Sequence, residues 1–217
     1  MKIKPGELAE NNYVLLEQLA HHELVPFIQT YIRKRTMYSV IYYLCNLLLL
    51  VLTGYFILDG YNLAGYNVGD RLTDFSYGIA IAFALVPLHE YIHVLAYKSQ
   101  GAVNTSYAAN LKKFYFMALA DKFVADKKEF EVVALAPFVA ITAMFSLLLC
   151  VAGEPWTLII TGILLAHTAM CSGDFGLLSY FACHRDKQVV TFDDVAGKTS
   201  YFYVRSNETK NGMIHNH

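Results

Sequence analysis

Five consecutive residues, His89-Glu90-Tyr91-Ile92-His93, carry the clearest chemistry in the chain. On a helix, histidines four apart stack one turn above the other on one face and can hold a single Zn²⁺. The glutamate between them stands beside such an ion, where it can take a proton from a polarised water. Phe83, Ala84, Leu85, Val86, Leu88, Tyr91, Ile92, Val94 and Leu95 surround the motif with apolar side chains. There an unpaired ionised Glu90 is costly or must take up a proton, and a nearby divalent cation removes the problem. The pattern points to hydrolytic metal chemistry rather than to polar residues on a solvated helix.

A hydrolytic zinc site takes three protein ligands and leaves a fourth position open. Asp174 leads for the third place, in Cys171-Ser172-Gly173-Asp174-Phe175-Gly176, again an acid in an apolar stretch that needs a partner. His93 and His89 precede Lys98 by five and nine residues, about 7–14 Å along a helix. Asp174 precedes Arg185 by eleven, about 16 Å, so the three lie at similar depths. His167 and Cys171 compete for the place. On an unbroken helix His167 lies about 10 Å deeper than Asp174, which suits a hydrogen-bonding role behind the ligands. Cys171 is one turn away and within reach, although an acid fits catalysis better than a thiolate. Gly173 and Gly176 flank the acid, leaving room for a helix or a substrate backbone.

The elements that must hold these groups are membrane spans. Of 217 residues, 56% are hydrophobic and 16% charged, and the mean hydropathy is +0.36, well outside globular norms. Four windows, 37–58, 75–97, 132–152 and 156–183, each supply the ~20 residues that cross ~30 Å of hydrocarbon. The second carries the histidine motif and the fourth carries Asp174. The expected fold class is an all-α membrane protein with four transmembrane helices and small cytoplasmic β-hairpin-like segments. Its expected parts are a cytoplasmic amphipathic segment (1–36), a four-helix zinc core (37–183) and a cytoplasmic tail (184–217).

Basic residues set the orientation. Arg33, Lys34 and Arg35 precede the first span. Lys98, Lys112, Lys113, Lys122, Lys127 and Lys128 lie between the second and third, and Arg185, Lys187, Lys198 and Arg205 follow the fourth. The opposite side has Arg71 in one loop and no base in Gly153-Glu154-Pro155. Both termini and the middle loop are expected in the cytoplasm.

A net charge of −1 without a basic stripe excludes nucleic-acid binding. Cys45, Cys150, Cys171 and Cys183 form no CxxC pair and read as small buried hydrophobes. The polar run to Asn12 predicts no removable signal peptide. Residues 7–32 contain an amphipathic stretch (Val14, Leu15, Leu19, Leu24, Phe27, Ile28, Tyr31) expected along the inner membrane surface, broken or kinked at Pro26. His21-His22-Glu23 within it reads as a solvated face, since adjacent side chains diverge on a helix. Phe114-Tyr115-Phe116-Met117 is a β-like run. Val189–Phe192 and Tyr201–Val204 resemble a hairpin across Asp193–Gly197, and the residues from Asn207 are expected to be disordered.

His89-Glu90-Tyr91-Ile92-His93, Leu135-Ala136-Pro137 and Ser172-Gly173-Asp174 together resemble the small bacterial zincin membrane peptidases, which are similar to the site-2 protease superfamily. The resemblance spans roughly residues 75–182. It implies Zn²⁺ held by His89, His93 and Asp174, with Glu90 as the catalytic base. Site-2 proteases carry Asn-Pro-Asp-Gly or Leu-Asp-Gly at the third ligand, whereas this chain has Ser-Gly-Asp-Phe-Gly, so the neighbouring Asn contact does not carry over. The implied function is zinc-dependent hydrolysis of peptide bonds in a membrane-spanning protein substrate, in the lipid bilayer of the bacterial inner membrane. The alternative is a non-catalytic zinc-binding membrane protein (a sensor, transporter component or scaffold). The oligomeric state is not specified by the sequence.

Overall fold

The computed structural model describes residues 2–59, 67–110 and 115–206. Seven α-helices occur among them: α1 (Leu24–Ile32), α2 (Met37–Asp59), α3 (Val68–Ala84), α4 (Val86–Ser99), α5 (Lys127–Leu149), α6 (Trp156–Met170) and α7 (Ser172–Cys183). Six strands accompany them: β1 (Tyr13–Ala20), β2 (Thr105–Asn110), β3 (Tyr115–Ala120), β4 (Ala125–Asp126), β5 (Val189–Asp194) and β6 (Thr199–Arg205). Lys112, Lys113 and Phe114 of the middle segment, and the tail from Asn207, lie outside the described residues.

The strands overturn the all-α expectation. They form two antiparallel sheets, one of four strands in the order β1-β6-β5-β4 and one of two, β2-β3. The hairpin expected near the C-terminus is present, with Val189 opposite Val204 and Phe192 opposite Tyr201. Its edge is covered by the stretch expected to lie on the membrane surface. Tyr13 to Ala20 pair with Arg205 to Thr199 across a bulge between Leu15 and Glu17. Helical spacing of Val14, Leu15 and Leu19 is thus overridden by a partner strand almost two hundred residues away. Beyond a 3-10 turn at His21–Glu23, α1 is the helical part of this stretch among the described residues, and Pro26 falls in its first turn, where a missing amide hydrogen leaves no helical bond unmade.

Helices α2 and α5 are each long and apolar enough to cross a membrane. Leu44, Leu47, Leu48, Leu50, Val51 and Leu58 of α2 are largely exposed, a stripe suited to lipid rather than water. The second and fourth expected spans are not single helices. Each is a pair bent by 41°, α3 with α4 and α6 with α7. The count is therefore two spans, or up to four if each bent pair crosses as one. The first break follows from Pro87, which withholds an amide hydrogen at the start of α4. The second falls at Cys171, where Tyr42 of α2 donates its hydroxyl to the Ala169 carbonyl at 3.0 Å.

Close packing fixes the helices that flank the histidine motif. At the α3–α6 crossing Gly78 faces Gly162, and a Cβ on Gly78 would collide with the Ile159 carbonyl oxygen. Such glycines let two backbones touch, which side chains of any size would prevent. Helix α5 starts on a reciprocal cap: Asp126 accepts from the Glu129 amide at 2.9 Å, and Glu129 accepts from the Asp126 amide at 3.0 Å. Arg71 of α3 is buried and pairs with Glu154 of the α5–α6 turn at 3.7 Å. The base and the acid of the two expected outer loops thus meet at one end. At the other, Lys2 reaches Glu129 at 3.1 Å.

Candidate metal centre

Helix α4 presents one inward face. His89, Glu90, His93, Val94, Ala96 and Tyr97 are buried, while Leu88, Tyr91 and Leu95 point outward. The i, i+4 spacing brings the two imidazoles together, Nε2 to Nε2 at 3.1 Å. Asp174 arrives from the first turn of α7, just after the break at Cys171. Its Oδ2 is 3.4 Å from His89 Nε2 and its Oδ1 is 3.2 Å from His93 Nε2. Three of the four residues named from the sequence thus converge by their ligand atoms, and the fourth, Glu90, lies on the same buried face.

These separations suit a small cation. Ligands at ~2.0–2.1 Å around a tetrahedral ion are ~3.3–3.4 Å apart, close to the three observed edges. The hydrogen-bond partners of the imidazoles point the same way. His93 Nδ1 is 2.9 Å from the Val133 carbonyl and must be its protonated nitrogen, since a carbonyl only accepts. That leaves the His93 Nε2 lone pair aimed at His89 and Asp174. His89 Nδ1 is 3.2 Å from His167 Nε2. Converging lone pairs and a carboxylate oxygen repel one another unless a cation lies between them. The residues present therefore fit Zn²⁺.

A second group, His89, His167 and Cys171, also brings its ligand atoms within 4.8 Å of one another. It approaches His89 from the opposite ring nitrogen, and the Cys171 sulfur bonds the His167 carbonyl at 3.3 Å. His167 thus stands behind His89 rather than beside Asp174. Its contact with His89 is a hydrogen-bonding one, behind the nitrogen that faces Asp174.

Glu90 has a buried carboxylate oxygen, Oε2, with no partner among the described residues. The Ala118 backbone of β3 faces the same carboxylate. A cavity of about 180 Å³ opens in front of these groups, lined also by Met117 of β3, Val133 of α5 and Leu24, Val25 and Ile28 of α1. The two flanking glycines divide their roles. Gly173 has open space where a Cβ would be, while a Cβ on Gly176 would press on Ile28 at 2.6 Å. Gly176 thus seats α1, and Gly173 faces the cavity.

Sequence reasoning missed the Val133 carbonyl, the Ala118 backbone and the Tyr42 hydroxyl. Main-chain groups leave no residue-type signature, and Tyr42 is one of sixteen tyrosines. His21, read as part of a solvated face, is instead buried and lines the cavity, and burial lowers its pKa.

No curated protein and no solved structure matches the chain. Residues 82–189, which contain α4, the β2-β3 hairpin, α5, α6 and α7, match the model of a family described as "Putative zincin peptidase". The match supports a zincin-like peptidase family for this chain and suggests a zinc metallopeptidase, with zinc as the implied cofactor.

Proposed function

We propose that the chain is a zinc-dependent endopeptidase that cleaves membrane-spanning proteins within the bilayer, in the manner of site-2 proteases. The observation that carries this reading is the convergence of His89, His93 and Asp174 beside a buried, half-partnered Glu90, on helices of membrane-span composition. A purely structural bundle leaves these buried polar groups without a purpose. His89, His93 and Asp174 would be the metal ligands and Glu90 the base. Zn²⁺, when bound, supplies a Lewis acid that polarises water and the scissile carbonyl.

The protein's own groups do the rest. Glu90 Oε2 takes a proton from water and returns it to the leaving amine. Among the described residues strand β3 pairs with β2 alone, and Phe116, Met117 and Ala118 line the cavity. An extended substrate backbone can therefore add along β3 and present a carbonyl next to Glu90. Such a substrate is an unwound stretch of a membrane helix, because an intact helix keeps its carbonyls in hydrogen bonds. In this reading residues 37–183 form the embedded core, both termini are cytoplasmic, and the membrane is the bacterial inner membrane. The meeting of Arg71 with Glu154 at one end, and of Lys2 with Glu129 at the other, fits the grouping of those segments on opposite sides, and the basic residues set which side is cytoplasmic.

The test is purified wild type against Glu90→Gln, with bound zinc and cleavage of single-span proteins both measured. Retained zinc with cleavage reduced at least ~10²-fold is expected for loss of a general base. Cleavage surviving the substitution refutes the role of Glu90. Zinc bound equally by wild type and Glu90→Gln, with no cleavage by either, favours the non-catalytic alternative.

A further inference from the structure

His93 needs an acceptor for its Nδ1 hydrogen, and it finds one in an unusual place: the carbonyl of Val133, in the interior of α5, at 2.9 Å. Interior helix carbonyls are normally occupied by the amide four residues on. Here the residue four on is Pro137, inside α5, with no amide hydrogen to give. Its ring also crowds the carbonyl at position i−4 and pushes it off the helix axis. Val133 is 2% exposed and Pro137 is buried, so the carbonyl has little access to bulk water as a replacement donor. The two deficits are complementary. A carbonyl without its helical donor meets an imidazole N–H that must be satisfied inside the protein.

We propose that Pro137 is a positioning residue for the metal centre: by withholding its amide hydrogen it frees and tilts the Val133 carbonyl, which holds the His93 ring with its Nε2 lone pair facing His89 and Asp174. This rests on the zinc reading of that cluster. It assigns to a helix-breaking residue, costly in an ordinary helix interior, a place in ligand orientation. Restoring an amide at position 137 lets Val133 return to the helical ladder and loosens His93.

Pro137→Ala and Pro137→Gly both restore the amide, but alanine favours the helix over glycine by about 1 kcal/mol, so the two variants differ in stability. The experiment measures zinc affinity of the full chain in detergent, by competition with a chelator, and the melting temperature of the metal-free protein. Zinc affinity is expected to fall about tenfold in both variants, the low end of what loss of a ligand's hydrogen-bond partner costs. The melting temperature of Pro137→Ala is expected to be equal to or above wild type. Affinities within twofold of wild type overturn the proposal. So does an affinity loss confined to the variant with the lower melting temperature, because packing would then account for it. His93→Ala and Asp174→Asn serve as the arm for the underlying reading: if they bind zinc as wild type does, the ligand assignment itself fails, whatever Pro137 does.

Discussion

Replacing His167 tests how the other histidine ligand is held. His89 Nε2 faces His93 and Asp174, so its proton belongs on Nδ1, which donates to His167 Nε2 at 3.2 Å. His167 is 1% exposed. In His167→Ala nothing accepts that proton, and a buried donor left unsatisfied costs about 1–3 kcal/mol. If the cost falls on the ligand-competent tautomer, zinc affinity drops about 5- to 150-fold. His167→Gln can place an amide oxygen near the lost Nε2 and should recover most of the affinity, whereas the shorter Asn should not. Chelator competition on the full chain measures this, and cobalt substitution adds a spectroscopic check. Cys171→Ala is expected to leave affinity and spectrum unchanged. Equal affinity in wild type and His167→Ala refutes the reasoning. A cobalt–thiolate band that disappears in Cys171→Ala refutes it differently, by making His89, His167 and Cys171 the ligands.

Two further expectations concern the frame. Gly78→Ala places a methyl against the Ile159 carbonyl and Gly162, forcing α3 and α6 apart; a loss of about 1–3 kcal/mol is expected in detergent unfolding, and an unchanged melting temperature contradicts the contact. Asp193 carries the clearest pH dependence outside the spans. Burial raises its carboxyl from 3.8 to about 6, opposed by the Ser200 hydroxyl and assisted by nearby Asp121. The folded chain therefore holds a proton there that the unfolded chain has released, so this contribution to stability is present below about pH 4 and is lost as pH rises to about 6. Asp193→Asn should flatten that window and stabilise the fold at pH 7 by about 1–3 kcal/mol; urea unfolding at pH 4, 5, 6 and 7 measures it, and a variant with the wild-type slope contradicts the assignment.

Local patterns were readable, and non-local ones were not. The i, i+4 histidines and the isolated acid at Asp174 were visible because a charged group in a hydrocarbon-length window is conspicuous. The β5-β6 hairpin was visible because two short runs of β-branched and aromatic residues flank a Gly-containing turn. Strand β1 was missed because Val14, Leu15 and Leu19 satisfy a helical stripe as well as a strand, and only β6 decides between them. The break at Cys171 has neither proline nor glycine at its centre, so nothing local announces it. Pro87 and Pro137 were both in plain view, yet the consequence of Pro137 lies on another helix, at His93.

The pairing of β1 with β6 bears on when the protein becomes competent during its own synthesis. Residues 13–20 leave the ribosome early and have no ladder partner until residues 199–205 follow. By then α1 to α7 have all been made. Thr191, Ser200 and Phe202 also line the cavity in front of Glu90. Contacts this distant in sequence form late, because the chain between them must first be ordered. A chain made only as far as α7 therefore holds His89, His93 and Asp174 without the finished chamber around them. Pairing of β6, rather than completion of α7, closes the cavity wall.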